Sequence, residues 1–231
     1  MLVVSNVTKR MEEILESDEN QKFFSKSNKS YICGVVEKDL ELSHEVAGEI
    51  FYTTRVILKR LSGVDDYVPV IIPSKLLEGI DITKGKEIEI AGQFRSCNKK
   101  DKNGITHLLL NLFVMAIRVL DEKEEFPYGN IIYLDGYLCK NPKYRTTPLG
   151  REITEILVAV NRETWKSDYI PCITWGRTAQ WVSEMKVGDR VKLYGRIQSR
   201  KYSKRNSDNE KEEKIAYEIS TVKLKKETAE I

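Results

Sequence analysis

Residues 65–74 read DDYVPVIIPS, and residues 167–176 read SDYIPCITWG. The phrase Asp-Tyr-hydrophobic-Pro is thus written twice, 102 positions apart. Working outward from it, the two segments stay in step. Gly34 falls on Gly136, Gly48 on Gly150, Val56 on Val158 and Arg60 on Arg162. One inserted residue then makes the offset 103, and Gly85 falls on Gly188, Gly92 on Gly195 and GQFRS (92–96) on GRIQS (195–199). Glycines that coincide at fixed positions mark shared turns and bulges. Two copies of one domain is the economical reading of the 231-residue chain. The predicted boundaries are 1–29 for an N-terminal extension, 30–127 for the first, diverged copy and 128–231 for the second.

Hydropathy alternates with period two inside each copy, which predicts strands. The second copy offers NIIYLDGYL, REITEILVAVNR, DYIPCITWG, DRVKLYGRIQSRKY and IAYEISTVKL. The stretch NPKYRTTPLG, with two prolines and a glycine, reads as a turn. RTAQWVSEM reads as a helix with Trp181 and Met185 facing inward. Five strands with a helix between the third and fourth is the plan of the OB-fold, a small Greek-key barrel. The first copy repeats it, with a short helix near SKLLEG. The predicted fold is mainly all-β: two tandem OB-fold barrels. Ahead of them, Val7, Met11, Ile14 and Leu15 share one face of a predicted N-terminal helix capped by Ser5 or Asn6.

The two copies agree on their inward faces and differ on their outward ones. Ile170, Cys172 and Thr174 match Val68, Val70 and Ile72 as the inward set of the third strand. Outward, Tyr169 is matched by Tyr67, but Trp175 is matched by Pro73. On the fourth strand Val191, Leu193 and Ile197 point inward. Arg190, Lys192, Tyr194, Arg196, Gln198, Arg200 and Tyr202 point outward, where the first copy has Glu87, Glu89, Ala91 and Gln93. Residues 128–204 hold 14 basic and 7 acidic residues, a net charge of +7, whereas 30–127 hold 13 and 16, a net of −3. The modest overall charge of +3 therefore hides a basic barrel beside an acidic one. A basic groove gains affinity for phosphates by counterion release, and exposed rings stack on unpaired bases. The combination points to single-stranded nucleic acid, with little sequence preference. Candidate contacts are Arg145, Arg162, Trp165, Tyr169, Trp175, Arg190, Lys192, Tyr194, Arg196, Arg200 and Tyr202.

Composition closes off other classes. Hydrophobic content of 41% and charged content of 32% describe a soluble globular chain. No apolar run approaches the roughly 20 residues that span a bilayer, and the first residues turn charged too soon for a signal peptide. A cytoplasmic protein is expected. Cys33, Cys97, Cys139 and Cys172 lack any CxxC spacing and read as reduced thiols. His44 and His107 lie far apart in sequence. With no phosphate loop, nucleophile elbow or HExxH, neither an enzyme nor a metal or cofactor site is expected.

The blocks NIIYLDGYLCKNPKYRTTPLG, VAVNR, DYIPCITWGRTAQWV and KVGDRVKLYGRIQSRKY resemble the bacterial single-stranded DNA-binding proteins over roughly residues 130 to 202. That resemblance implies a non-catalytic protein that protects exposed strands in replication, recombination and repair. It also implies stacking residues at Trp165, Tyr169, Trp175 and Tyr202. The first copy keeps only Tyr67 of these, with Gly63, Pro73 and Asn98 or Lys99 in the other places. The family gathers four OB-folds per particle, which a two-barrel chain meets as a homodimer. Its acidic, partner-recruiting C-terminal tip has no counterpart in VKLKKETAEI. Two alternatives share the same sequence features. One is an OB-fold adaptor of a primosome or mobile-element replication complex, and the other is a binder of single-stranded RNA.

Overall fold

The computed structural model describes residues 27–60, 62–100, 104–120, 129–205 and 211–227. The helix expected in the N-terminal extension lies outside them. The first half contains β1 (Asn28–Val36), β2 (Glu41–Val46), β3 (Glu49–Lys59), β4 (Asp65–Pro73), β5 (Glu87–Lys100) and β6 (Thr106–Val119). The second contains β7 (Gly129–Leu138), β8 (Lys143–Thr146), β9 (Glu152–Asn161), β10 (Ser167–Trp175), helix α1 (Gly176–Ser183), β11 (Arg190–Arg205) and β12 (Lys211–Glu227).

Each half closes on itself in the same order. β3 pairs with β4 and β9 with β10, both antiparallel. β4 then pairs in parallel with β6, and β10 with β12. β5 and β6, like β11 and β12, form long antiparallel hairpins. β1 and β7 complete the circuits against β5 and β11, and close them on β3 and β9. Closure of each circuit leaves only the short strands β2 and β8 at an edge, as in the partly open OB-fold barrel. Gly34 and Gly136 show why the repeat keeps glycine at the closing points. A Cβ on either would stand 2.4 Å from a carbonyl oxygen, of Ile57 or Ala159.

Two expectations need correction. Part of NPKYRTTPLG is strand β8, which pairs with β9 and leaves its own side chains exposed. In the first half the expected helix is a single 3-10 turn, Ser74–Leu77, ended by Gly79 at φ 72°. The second half has no glycine at the matching place, and α1 runs for eight residues.

β1 and β7 also pair with each other, from Asn28↔Leu134 to Cys33↔Gly129, so twelve strands form one sheet. The apolar core accordingly runs through both halves, from Val68, Ile90 and Leu112 to Ile132, Val158 and Leu193.

The repeated Asp-Tyr phrase clasps the halves together. Asp168 is buried and takes two bonds from Arg162, from Nε at 2.8 Å and from a terminal nitrogen at 2.5 Å. It also accepts the backbone N–H of Ser96, in the other half, at 2.6 Å. Ser96 Oγ accepts the Tyr169 N–H at 2.8 Å, and Arg162 donates to the Ser96 carbonyl at 3.0 Å. The mirror arrangement joins Asp66 to Arg60 and to the Ser199 N–H at 2.6 Å, while Ser199 Oγ accepts the Tyr67 N–H at 3.0 Å. Proline follows two residues later on the same strand edge. It carries no N–H there, so the edge between clasp and barrel has no donor to satisfy.

Candidate nucleic-acid interface

The turn between β9 and β10 is closed by the Arg162 N–H on the Lys166 carbonyl at 2.7 Å. It holds Trp165 at φ 61°, with the whole ring in solvent (101% exposed). Along β10 the alternation runs as expected. Ile170, Cys172 and Thr174 are buried, and Tyr169 and Trp175 are exposed. Ile173 departs from it. It is buried, because there β10 lies between β9 and β12, with Glu155 and Ser220 as its register partners. Trp175 Nε1 donates to Ser220 Oγ at 3.2 Å. Ser220 is the register partner of Arg196 on β11. One serine thus links the aromatic end of β10 to the cations of β11.

β11 divides at the irregularity between Tyr194 and Gly195. Beyond it, Arg196 and Arg200 are exposed and pair with no carboxylate among the described residues. The Arg200 guanidinium lies 6.0 Å from the ring of the exposed Tyr202. Before it, the charges are already matched. Arg190 donates two bonds to Asp135, both at 2.9 Å, which hold its guanidinium above its ordinary pKa. Lys192 Nζ lies 3.5 Å from Glu227. Tyr194 packs on Tyr133 with ring centroids 4.9 Å apart, and burial pushes the Tyr133 phenol up to about 12. A stripe read along one strand could not show these partners, because the carboxylates arrive from β7 and β12. Arg145 is likewise bonded to Glu155, at 3.0 and 2.5 Å. Arg162 lies in the clasp, where the hydrogen bonds it donates to Asp168 raise its pKa.

The helix corrects another expectation. Ala179 and Val182 form the buried side of α1, and Met185 is buried beyond its end, but Trp181 is 43% exposed. Tyr137 joins the exposed aromatics, although sequence reasoning did not single it out. It shares Ala159 as register partner with Tyr169, so a small residue separates two rings on one outer row. The alternation of Tyr133, Asp135 and Tyr137 against Ile132 and Leu134 carried that signal.

In the first half, Gly63 stands at the place of Trp165 with φ 80°. Tyr67 is half-buried, and Pro73 is buried against the register of Phe51. No helix among the described residues is long and apolar enough to cross a membrane.

Residues 130–225 match the sequence profile of the family described as the single-strand binding protein family. Single-stranded DNA-binding protein A of Bacillus subtilis is 36% identical over 80 residues, which are 32% of this chain and 46% of that protein. Single-stranded DNA-binding protein 1 of Staphylococcus aureus is also 36% identical over 80 residues, covering 32% of this chain and 48% of its own. The chain spans about half the length of the curated relatives it matches. Among solved structures, a deletion variant of the single-stranded DNA binding protein from Thermus aquaticus superposes with a TM-score of 0.70 at 18% identity, over 88% of this chain and 96% of that one. The wild-type Thermus aquaticus protein gives 0.67 at 20% identity, over 87% and 93%. That likeness is one of fold, and it runs through both halves. Residues 130–225 are thus similar in sequence to the single-strand binding protein family, and the described chain is similar in fold to the Thermus aquaticus protein.

Proposed function

We propose that the protein binds single-stranded DNA without catalysis, on the outer face of its second half. Trp165, Tyr169, Trp175 and Tyr202 stack on bases, and Arg196 and Arg200 meet phosphates. The observation that carries this reading is Trp165, whose ring is wholly in solvent on a turn of unfavourable backbone geometry. Arg196 and Arg200, without a carboxylate partner among the described residues, lie on β11, across β12 from β10, where they can hold a backbone while rings take the bases. The relatives' names point the same way. Stacking reads no base identity, so the strands served are those laid bare in replication, recombination and repair, whatever their sequence. Two chains make a particle of four barrels in this proposal.

The test is a titration of tryptophan emission with dT oligomers at low and high salt, with particle mass followed by sedimentation. Quenching that fades steeply as salt rises is expected. Unchanged emission at low salt overturns the proposal. A particle mass near the chain's own 26.7 kDa removes the dimer and leaves the binding face untouched.

A further inference from the structure

A cleft of about 300 Å³ opens in the first half where the turn between β9 and β10 approaches it. Pro73, Lys75, Arg95 and Phe113 of the first half line it together with Glu163 and Thr164 of the second. Trp165, wholly exposed, is the next residue in the chain after Thr164.

Arg95 is the unusual member. Its guanidinium lies 3.7 Å from the centroid of the Phe113 ring. Nε and one terminal nitrogen donate to Gln93 Oε1, at 3.0 and 2.8 Å. A guanidinium has five N–H donors, and the other three have no partner among the described residues. Burial and the nearby Arg162, opposed by the carboxylate of Asp168, lower its pKa to about 10, and it stays protonated at neutral pH. The other cations here are already engaged, Lys75 with Glu49 at 3.6 Å and Arg162 with Asp168. Glu163, exposed on the turn, lines the cleft with no ion-pair partner among the described residues.

The repeat shows how the two halves differ at this site. GQFRS in the first half stands where GRIQS stands in the second, so glutamine and arginine are exchanged. Gln198 faces Glu218 across the strands and bonds to it at 2.6 Å. Arg95 faces Asn111 instead. At this spot the acidic half has a cation where the basic half has glutamine, and asparagine where the basic half has a carboxylate.

We propose that this cleft is a phosphate subsite: a single strand that crosses Trp165 continues into the first half, where Arg95 bonds a phosphodiester oxygen. The proposal rests on strand binding by the second half and extends it to the first. Pro73 and Phe113, without an exposed tryptophan, make this a site for backbone and not a stacking site.

Affinity is measured in the full chain with dT oligomers of about 8 and about 30 nucleotides, one and two barrels' worth of strand. R95Q weakens the long oligomer roughly tenfold and the short one by less than about twofold. It also reduces the slope of log K against log salt by about 0.7, one phosphate contact. E163Q tightens the long oligomer by about two- to fivefold. Wild-type binding with R95Q indistinguishable from it overturns the subsite and leaves the second half's role intact. Failure of the wild type to bind either oligomer overturns both. A readout independent of substitution is photocrosslinking of the native chain to a dT strand carrying an azidophenacyl group on a backbone phosphorothioate, so that the probe reports where the phosphates lie. Adducts on the peptide containing Phe113 are expected, and adducts confined to the Trp165 and Trp175 peptides overturn the subsite.

Discussion

Trp165 sits where an L-residue costs about 1 kcal/mol in backbone strain, with a ring that gains nothing from burial. The same turn in the first half uses Gly63, which adopts φ 80° freely. Folding does not explain the tryptophan, and the proposed binding does. The substitution W165G should therefore leave the melting temperature unchanged or raise it by up to about 3 °C. It should also weaken dT binding by roughly fivefold or more. A lower melting temperature would show that the ring supports its own turn. The cysteines make a second residue-scale case. Cys97 is exposed, Cys139 partly covered, and Cys33 and Cys172 buried. Burial pushes the Cys172 thiol up, so little thiolate forms there even in alkali. A thiol reagent at mildly alkaline pH should modify Cys97 at once, Cys139 slowly, and the other two only after unfolding. Early modification of Cys172 would contradict the packing of β10.

Among the elements, β10 was the most legible in sequence and also the most misleading. Its period-two pattern gave the inward set Ile170, Cys172 and Thr174, because alternation is fixed by the strand itself. It did not reveal what Asp168 does, since the partner Ser96 lies 72 residues away in the chain. Pairings across that distance leave no local periodicity. Trp181 failed for a related reason: α1 ends at Ser183, so Met185 reaches the core from beyond the helix and not from its face. The clasp carries a stability prediction. Asp168→Ala leaves Arg162 partly buried without its counter-charge, and losing one partner of a buried pair costs about 3–5 kcal/mol. For a chain of this size that lowers the melting temperature by roughly 10 °C. Ser96→Ala keeps the ion pair and removes only the acceptor for the Tyr169 N–H, so its loss should be smaller, about 1–3 kcal/mol. Calorimetry of the two variants checks the ranking, and equal losses would mean that the ion pair is not the dominant part.

At the scale of the whole molecule, net charge points to the half proposed to bind without naming its contacts. Residues 128–204 carry a net charge of +7, yet Arg190, Lys192, Arg145 and Arg162 each already hold a carboxylate. Coulombic attraction to a distant strand uses all of these charges, because a field sums over partners. Counterion release on contact uses only cations that reach a phosphate. The two effects separate in a salt series. Arg196→Ala and Arg200→Ala should each reduce the slope of log K against log salt by about 0.7, one single-strand phosphate apiece. Arg190→Ala leaves Asp135 without its partner but removes no phosphate contact, so the slope should stay at the wild-type value. It removes one positive charge from the half's overall field, so the association rate at low salt should fall modestly. Measuring equilibrium slopes and stopped-flow association rates for the three variants distinguishes them. A slope change for Arg190→Ala equal to that of Arg196→Ala would place the strand across the paired end of β11, on the face shared with β7, and the path over Trp175 and Ser220 would have to be abandoned.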